Sequence, residues 1–300
     1  MVRGDMKPVA PDTRIGFIGL GNLGQPMARA LLRDGWEVTV ADSRSEKLEP
    51  CVQDGARAAG SPAELADCVV VALAVPDDAA VEQVLCGSDG APGLLPVLAR
   101  DAVVLVHSTI LPDTARRLAR QAAERGVGLL DAPVSGGPDR ALAGELTVMV
   151  GGDDAVVRRA GPVLAAVGTD IQHVGPSGAG SAVKLANQLM MFSALAGVHE
   201  ALDLARAYEV EADTVLAAVA TSTGDSWVAR NWGFFDDVAA AYDAGGTPVR
   251  ERPWSKDLWD VVAAARDAGV AVPVGGLLAQ VLAARVEAHA RKGRDTRGGR

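Results

Sequence analysis

Residues 181–190 read SAVKLANQLM, and Lys184 is the only charged side chain between Ser181 and Val198. On a helix, Lys184, Asn187 and Gln188 lie at i, i+3 and i+4 and share one face. A lysine in such an apolar run loses several kcal/mol of hydration unless a partner or a task offsets the loss. The task that suits it is general acid and base catalysis. Desolvation and a place in the first turn of a helix starting near Ser181 both disfavour the ammonium form and move the amine toward working pH. Asn187 or Gln188 would then orient the amine or hydrogen-bond a substrate oxygen. The competing reading is a lysine that snorkels to solvent beside two helix-surface amides.

A second chemical stretch lies 160 residues upstream. GLGNLG places Gly19, Gly21 and Gly24 in the G-x-G-x-x-G pattern, with Asn22 and Leu23 inside it, directly after an apolar strand and directly before a helix. The first glycine permits a tight turn, the second lets a pyrophosphate approach, and the third packs helix on strand, with the helix N-terminus facing the anion. Asp42, 18 residues after Gly24, ends the next strand, where a carboxylate bonds both ribose hydroxyls and repels a 2′-phosphate. Arg44 argues the other way, since a guanidinium pairs with that phosphate. NAD is favoured over NADP. A third stretch, VSGG at 134–137, follows a strand and offers the exposed backbone N–H groups of Gly136 and Gly137, with Ser135, to a carboxylate; the plain alternative is a Gly-Gly turn.

These groups need a scaffold that brings strand ends together. Strands are expected at CVVVALAV, AVVLVHS, GVGLLDAPV and ELTVMVGG, with helix-patterned stretches at 112–125 and 154–167, a succession that implies a mostly parallel, doubly wound sheet. After TDIQHVGPSGAG only helix-period segments follow, near 181–208, 212–221, 256–268 and 274–290. The expectation is an α/β chain: a dinucleotide-binding Rossmann-type domain over 13–176, an all-helical substrate and oligomerisation domain over 177–290, and flexible tails at 1–12 and 291–300. Seven of the eleven aromatic residues fall in 227–259. They read as a helix-packing or subunit-interface cluster, or as a cover over a ligand cleft; the fold of 222–254 has no clear sequence signal.

Four motifs in order, GFIGLGNLGQPMARAL, DAPVSGG at 131–137, GAGSAVKLANQ at 178–188 and KDL at 256–258, resemble the β-hydroxyacid dehydrogenases over about residues 13 to 290. This family includes 3-hydroxyisobutyrate dehydrogenase and tartronate semialdehyde reductase, and its C-terminal domain is like that of 6-phosphogluconate dehydrogenase. The resemblance implies that Lys184 is the catalytic lysine and that Ser135, Gly136 and Gly137 hold the substrate carboxylate. It further implies that Asn187 is the first asparagine of K-x-x-N-N, and that Val75, Pro76, Ser108, Thr109 and Lys256 line the cofactor. Three departures stand out: Gln188 replaces the second asparagine, His107 stands where many relatives have a small or acidic residue, and the segment before Lys256 is unusual.

The implied reaction is hydride transfer between nicotinamide and C3 of a short β-hydroxy acid or its semialdehyde. Imine reduction is the nearest rival, and retention of the lysine argues against it. A catalytically silent cofactor-binding module is a further alternative, and about 120 helical residues are too few for a decarboxylating sugar-acid phosphate dehydrogenase. The partner that the resemblance implies is a small carboxylate-bearing substrate, and composition argues against nucleic acid. Twenty-nine Lys and Arg against 38 Asp and Glu leave a net charge of −9, without the basic footprint that nucleic acid needs. No membrane span and no metal-ligand spacing is expected. Three cysteines read as reduced thiols, the location as cytoplasmic, and the assembly, by analogy, as a homodimer or homotetramer.

Overall fold

In the computed structural model, which describes residues 7–10, 13–88 and 91–298, the alternation of apolar runs becomes a nine-stranded sheet. Strands β1 (Arg14–Ile18), β2 (Glu37–Ala41), β3 (Arg57–Ala58) and β4 (Val70–Leu73) come first. A two-stranded hairpin, β5 (Gly87–Ser88) with β6 (Ala91–Pro92), stands apart from the main sheet. Then follow β7 (Val103–Val106), β8 (Gly128–Asp131), β9 (Val134–Ser135), β10 (Leu146–Gly151) and β11 (Gly168–Gly175). The order is β11-β10-β8-β7-β4-β1-β2-β3, with β9 also paired to β10. The strands from β3 to β8 are parallel; β10 runs antiparallel to β8 and β9, and β11 parallel to β10.

Burial on both faces explains why these strands read as unbroken apolar runs rather than as alternations. In β4, Val70 and Ala72 enter one core and Val71 and Leu73 the other; in β7, Val103 and Leu105 part from Val104 and Val106 in the same way. The first core is closed by α1 (Gly24–Arg33) and α6 (Asp154–Val167), the second by α3 (Asp78–Cys86) and α4 (Pro112–Glu124). Two short helices, α2 (Glu49–Gln53) and α5 (Gly137–Ala143), complete this part. Strand β11 carries little sequence signal because it is an edge strand whose residues after Gly168 are mostly exposed.

The chain divides into two compact units between Lys184 and Leu185. The first thus runs past the Gly-rich stretch at 174–180, because the backbone there is bonded to β8, as shown below. Helix α7 (Ala179–Ala207) crosses the division and is followed by α8 (Ala212–Val219), α9 (Trp227–Arg230), α10 (Phe234–Ala244), α11 (Pro253–Asp267) and α12 (Pro273–Gly298).

In the second unit the aromatic segment resolves into helix packing. Trp254 is fully buried, and Phe235 and Phe192 lie in the same core, while Trp227 and Trp259 are exposed. Arg252 anchors it: the guanidinium donates to both carboxylate oxygens of Glu287 at 2.9 and 3.0 Å, to Asp243 at 2.6 Å and to Thr247 O. Glu287 also accepts from Trp254 Nε1 at 3.0 Å.

Two expected tails are partly structured. Val9 is buried and its N–H donates to Arg159 O at 3.0 Å, so residues 7–10 are tied to α6. At the other end α12 continues to Gly298, with no proline to interrupt it. Residues 1–6, 11–12 and 299–300 lie outside the described residues.

Candidate active site

The order of strands reverses between β1 and β4, and that is where an open parallel sheet leaves a crevice at its C-terminal edge. Gly19 leaves β1 at φ +91°, and a Cβ there would sit 2.5 Å from Ala74 O in the turn after β4. A Cβ on Gly24 would collide with Gly19 O. These two glycines are therefore required by the protein's own packing. Gly21 differs: nothing lies within 4 Å of where its Cβ would be, which leaves room for a bound group at the turn. Close by in sequence, Asn22 Nδ2 is buried without a hydrogen-bond partner. Open space at Gly21 and an unsatisfied amide at Asn22 fit a dinucleotide pyrophosphate. Leu23 sits half-buried against the first core.

Asp42 does more than end β2. Its Oδ2 accepts the Leu20 N–H at 2.6 Å and its Oδ1 accepts the Arg44 N–H at 2.9 Å, so one carboxylate shapes the turn and its own loop. Half-buried Val75 donates its N–H to Ser108 Oγ at 2.9 Å, joining the loops after β4 and β7. Pro76 is exposed and Thr109 half-buried beside them. His107 is buried, with Nδ1 2.7 Å from Ala132 O. Burial lowers its pKa to about 4, against a smaller upward pull from that carbonyl, so the ring is neutral near pH 7.

The candidate proton carrier is held by the strand that precedes the glycine loop. Lys184 is buried, and Nζ donates to Val134 O at 2.9 Å. Ser135 follows immediately, then Gly136 at φ +146° and Gly137 at φ +82°, conformations that turn the backbone into α5. Helix α7 begins at Ala179, two residues before the expected start, so Lys184 stands in the second turn. The dipole argument is weakened accordingly, because that field acts mainly in the first turn. What occupies the helix start is Asp131: fully buried, it accepts the Gly178 N–H on Oδ1 and the Ser181 N–H on Oδ2, both at 2.8 Å. Burial raises the Asp131 pKa, and the two backbone N–H bonds work against that rise. Asp131 lies inside the quoted DAPVSGG, but its role was not legible there, because its partners come 47 and 50 residues later.

In the second unit Asn187 Nδ2 donates to Gln188 Oε1 at 3.1 Å, and Gln188 Nε2 donates to Asp257 Oδ2 at 2.6 Å. Asp257 Oδ1 in turn accepts from Lys256 at 3.3 Å, and Lys256 also reaches Asp260 at 2.6 Å. Burial acts to lower the Lys256 pKa, but the two carboxylates outweigh it and raise the value, so the ammonium form is held. Helical spacing singled out Gln188 and the family resemblance Lys256; neither showed that one aspartate ties them together.

Among the described residues no group of His, Cys, Asp and Glu is placed to hold a metal ion, and no helix is long and apolar enough to cross a membrane.

Known proteins bear on this geometry. Residues 14–175 match the family model for the NAD binding domain of 6-phosphogluconate dehydrogenase. Residues 178–298 match the one described as NAD-binding of NADP-dependent 3-hydroxyisobutyrate dehydrogenase. The chain is 37% identical over 271 residues to the NAD-dependent L-serine dehydrogenase of Pseudomonas aeruginosa, covering 88% of this chain and 89% of that one. A structure of Mycobacterium tuberculosis 3-hydroxyisobutyrate dehydrogenase with L-serine superimposes at a TM-score of 0.78, with 30% identity, over 93% of this chain and 95% of that one. A reductive aminase from Aspergillus terreus, in complex with NADPH4, cyclohexanone and allyl amine, is similar at a TM-score of 0.60 and 26% identity, over 94% and 95%.

Proposed function

The chain belongs to the β-hydroxyacid dehydrogenase family and is an NAD(P)-dependent oxidoreductase acting on CH–OH groups, and from that premise we propose how its residues divide the work. The reaction is hydride transfer between nicotinamide and C3 of a short β-hydroxy acid or the corresponding semialdehyde. Lys184 takes the hydroxyl proton in oxidation and returns it in reduction. The observation that carries this assignment is the bond from Lys184 Nζ to Val134 O. It fixes a buried amine one residue before Ser135, where the carboxylate loop begins. An amine held at that point is placed to exchange a proton with a substrate oxygen.

Ser135 Oγ and the backbone of Gly136 and Gly137 hold the carboxylate. Asn187, one turn beyond Lys184, is the amide that orients the amine or the substrate oxygen. Gln188 acts through it, since its own amide is engaged at one end by Asn187 and at the other by Asp257. Lys256, held in the ammonium form by Asp257 and Asp260, is the lysine that the family resemblance assigns to the cofactor.

When bound, nicotinamide supplies the acceptor or donor of the hydride. Its dinucleotide would rest on Gly19, Gly21, Asn22, Leu23 and Gly24, flanked by Val75, Pro76, Ser108 and Thr109. NAD is the preferred form, because Asp42, held by the Leu20 and Arg44 N–H groups at the end of β2, would repel the extra 2′-phosphate of NADP. The Arg44 side chain is the feature that opposes this preference.

An imine substrate is the competing reading, and likeness to the reductive aminase is what favours it. The discriminating experiment follows reduced-nicotinamide absorbance with a panel of β-hydroxy acids, semialdehydes and cyclic imines. Turnover of β-hydroxy acids with NAD is expected. Turnover of the imines alone would overturn the substrate class, and a preference for NADP would overturn the cofactor assignment.

A further inference from the structure

We propose that Asp131 is a positioning residue for the reaction, its buried carboxylate setting the first turn of α7 and so the placement of Lys184. The inference rests on the reading of Lys184 as the proton carrier.

Where a side chain caps a helix among the described residues, at α3, α6 and α9, it comes from the residue directly before that helix. Asp77 caps α3 through the Ala80 N–H at 2.9 Å, and Asp153 caps α6 through the Ala155 N–H at 2.8 Å. Helix α7 is capped from a strand end 47 to 50 residues away, by a carboxylate without any solvent exposure. Among the described residues no ion pair reaches that carboxylate. Burying a carboxyl group costs more than placing one in a surface cap, so capping alone does not account for it.

The surroundings are shaped to let Asp131 reach the helix. A Cβ on Gly151 would sit 2.7 Å from Asp131 Oδ1, and one on Gly180 would sit 2.5 Å from Asp131 O. Gly178 adopts φ +90°, and a Cβ there would lie 2.8 Å from Pro112 O. Gly151 and Gly180 thus allow the helix start to lie directly on the ends of β8 and β10, and Gly178 lets it pass close to the start of α4. The two bonds to Gly178 and Ser181 fix both the position and the rotation of the first turn.

The segment 131–135 then acts twice. Asp131 sets where α7 begins, and three residues on Val134 O receives the amine that α7 delivers. A shift of the helix start by a fraction of a turn moves Nζ away from Val134 O and from the adjoining Ser135 loop. Misplacement of a catalytic group by about 1 Å costs up to about 100-fold in rate.

The test uses the full-length protein and the variants Asp131→Asn, Lys184→Ala and the double variant. The readouts are kcat and KM for a β-hydroxy acid that the wild type turns over, affinity for reduced nicotinamide cofactor by fluorescence, and thermal unfolding. Asp131→Asn keeps one acceptor but sets an NH2 group against the second backbone N–H. The expected result is a kcat lower by about 10- to 100-fold with cofactor affinity within about two-fold, because the glycine turn is untouched. In the Lys184→Ala background the same change should cost almost nothing further, since it acts through the lysine.

Unchanged kcat in folded Asp131→Asn, or an equal added loss in the Lys184→Ala background, overturns the proposal. If Asp131→Asn shows no cooperative unfolding transition, Asp131→Ser supplies the same comparison with one remaining oxygen. Should Lys184→Ala itself retain full turnover, the reading of Lys184 fails, whatever Asp131 does. An inactive Lys184→Ala beside a fully active Asp131→Asn sinks the positioning role alone.

Discussion

The glycine turn and the lysine station solve the same problem, placing a polar group at a strand end, by opposite means. The turn is local: Gly19, Gly24, Leu20 and Asp42 are held by one another within 24 residues of sequence. The lysine station is assembled at long range, with Asp131 and Val134 meeting Gly178, Ser181 and Lys184 across about 50 residues. Cofactor binding should therefore respond to changes within the turn and ignore β8, while turnover should respond to both.

The sharpest way to break that contrast is at the turn. Gly24→Ala forces a Cβ into Gly19 O, and loss of the folded first unit, or destabilisation by several kcal/mol, is expected in thermal unfolding. Gly21→Ala should behave differently. Its Cβ meets no protein atom, so the melting temperature should hold while cofactor affinity falls by about 10-fold or more in a fluorescence titration. Equal behaviour of the two variants would show that Gly21 does not face the cofactor.

Asp42→Ala is expected to narrow the ratio of kcat/KM for NAD over NADP by about 10-fold, as the repulsion of a 2′-phosphate disappears. It should also cost about 1 kcal/mol of stability, since the Leu20 and Arg44 N–H groups lose their acceptor. An unchanged ratio would place cofactor choice elsewhere, with Arg44 the next residue to vary.

A smaller effect separates the units by pH. His107 in the first unit and His199 in the second are both lowered to about 4, each mainly by burial; His289 and Arg285 add to the shift at His199. Both rings stay neutral when folded, yet take up a proton near pH 6.5 when unfolded. Each therefore contributes stability that is present above about pH 6.5 and is lost as pH falls toward 4. For His107 the loss is on the order of 3 kcal/mol, and His107→Gln should flatten that part of the stability curve in denaturant titrations.

The same contrast explains what was legible in the sequence. Strands β1, β4, β7, β8 and β10 announced themselves because burial on both faces demands continuous apolar runs. The exposed edge strand β11 did not, and neither did β9, whose two residues are defined only by pairing with β10. GLGNLG carried its own geometry, so its glycines were readable one by one. Lys184 was conspicuous as the lone charge in a greasy run, but Asp131 looked like the polar end of a strand, because nothing near it in sequence names its partners. The 222–254 segment was opaque for a similar reason: its order depends on Arg252 meeting Glu287, 35 residues on.

The central claim is that Lys184 carries the proton while the glycine turn binds the cofactor independently. Side-by-side measurement of cofactor affinity and of kcat with a β-hydroxy acid, for wild type and Lys184→Ala, tests it most directly. Cofactor affinity within about two-fold and a kcat lower by about 100- to 10,000-fold is the predicted result. Equal kcat in the two proteins would contradict it.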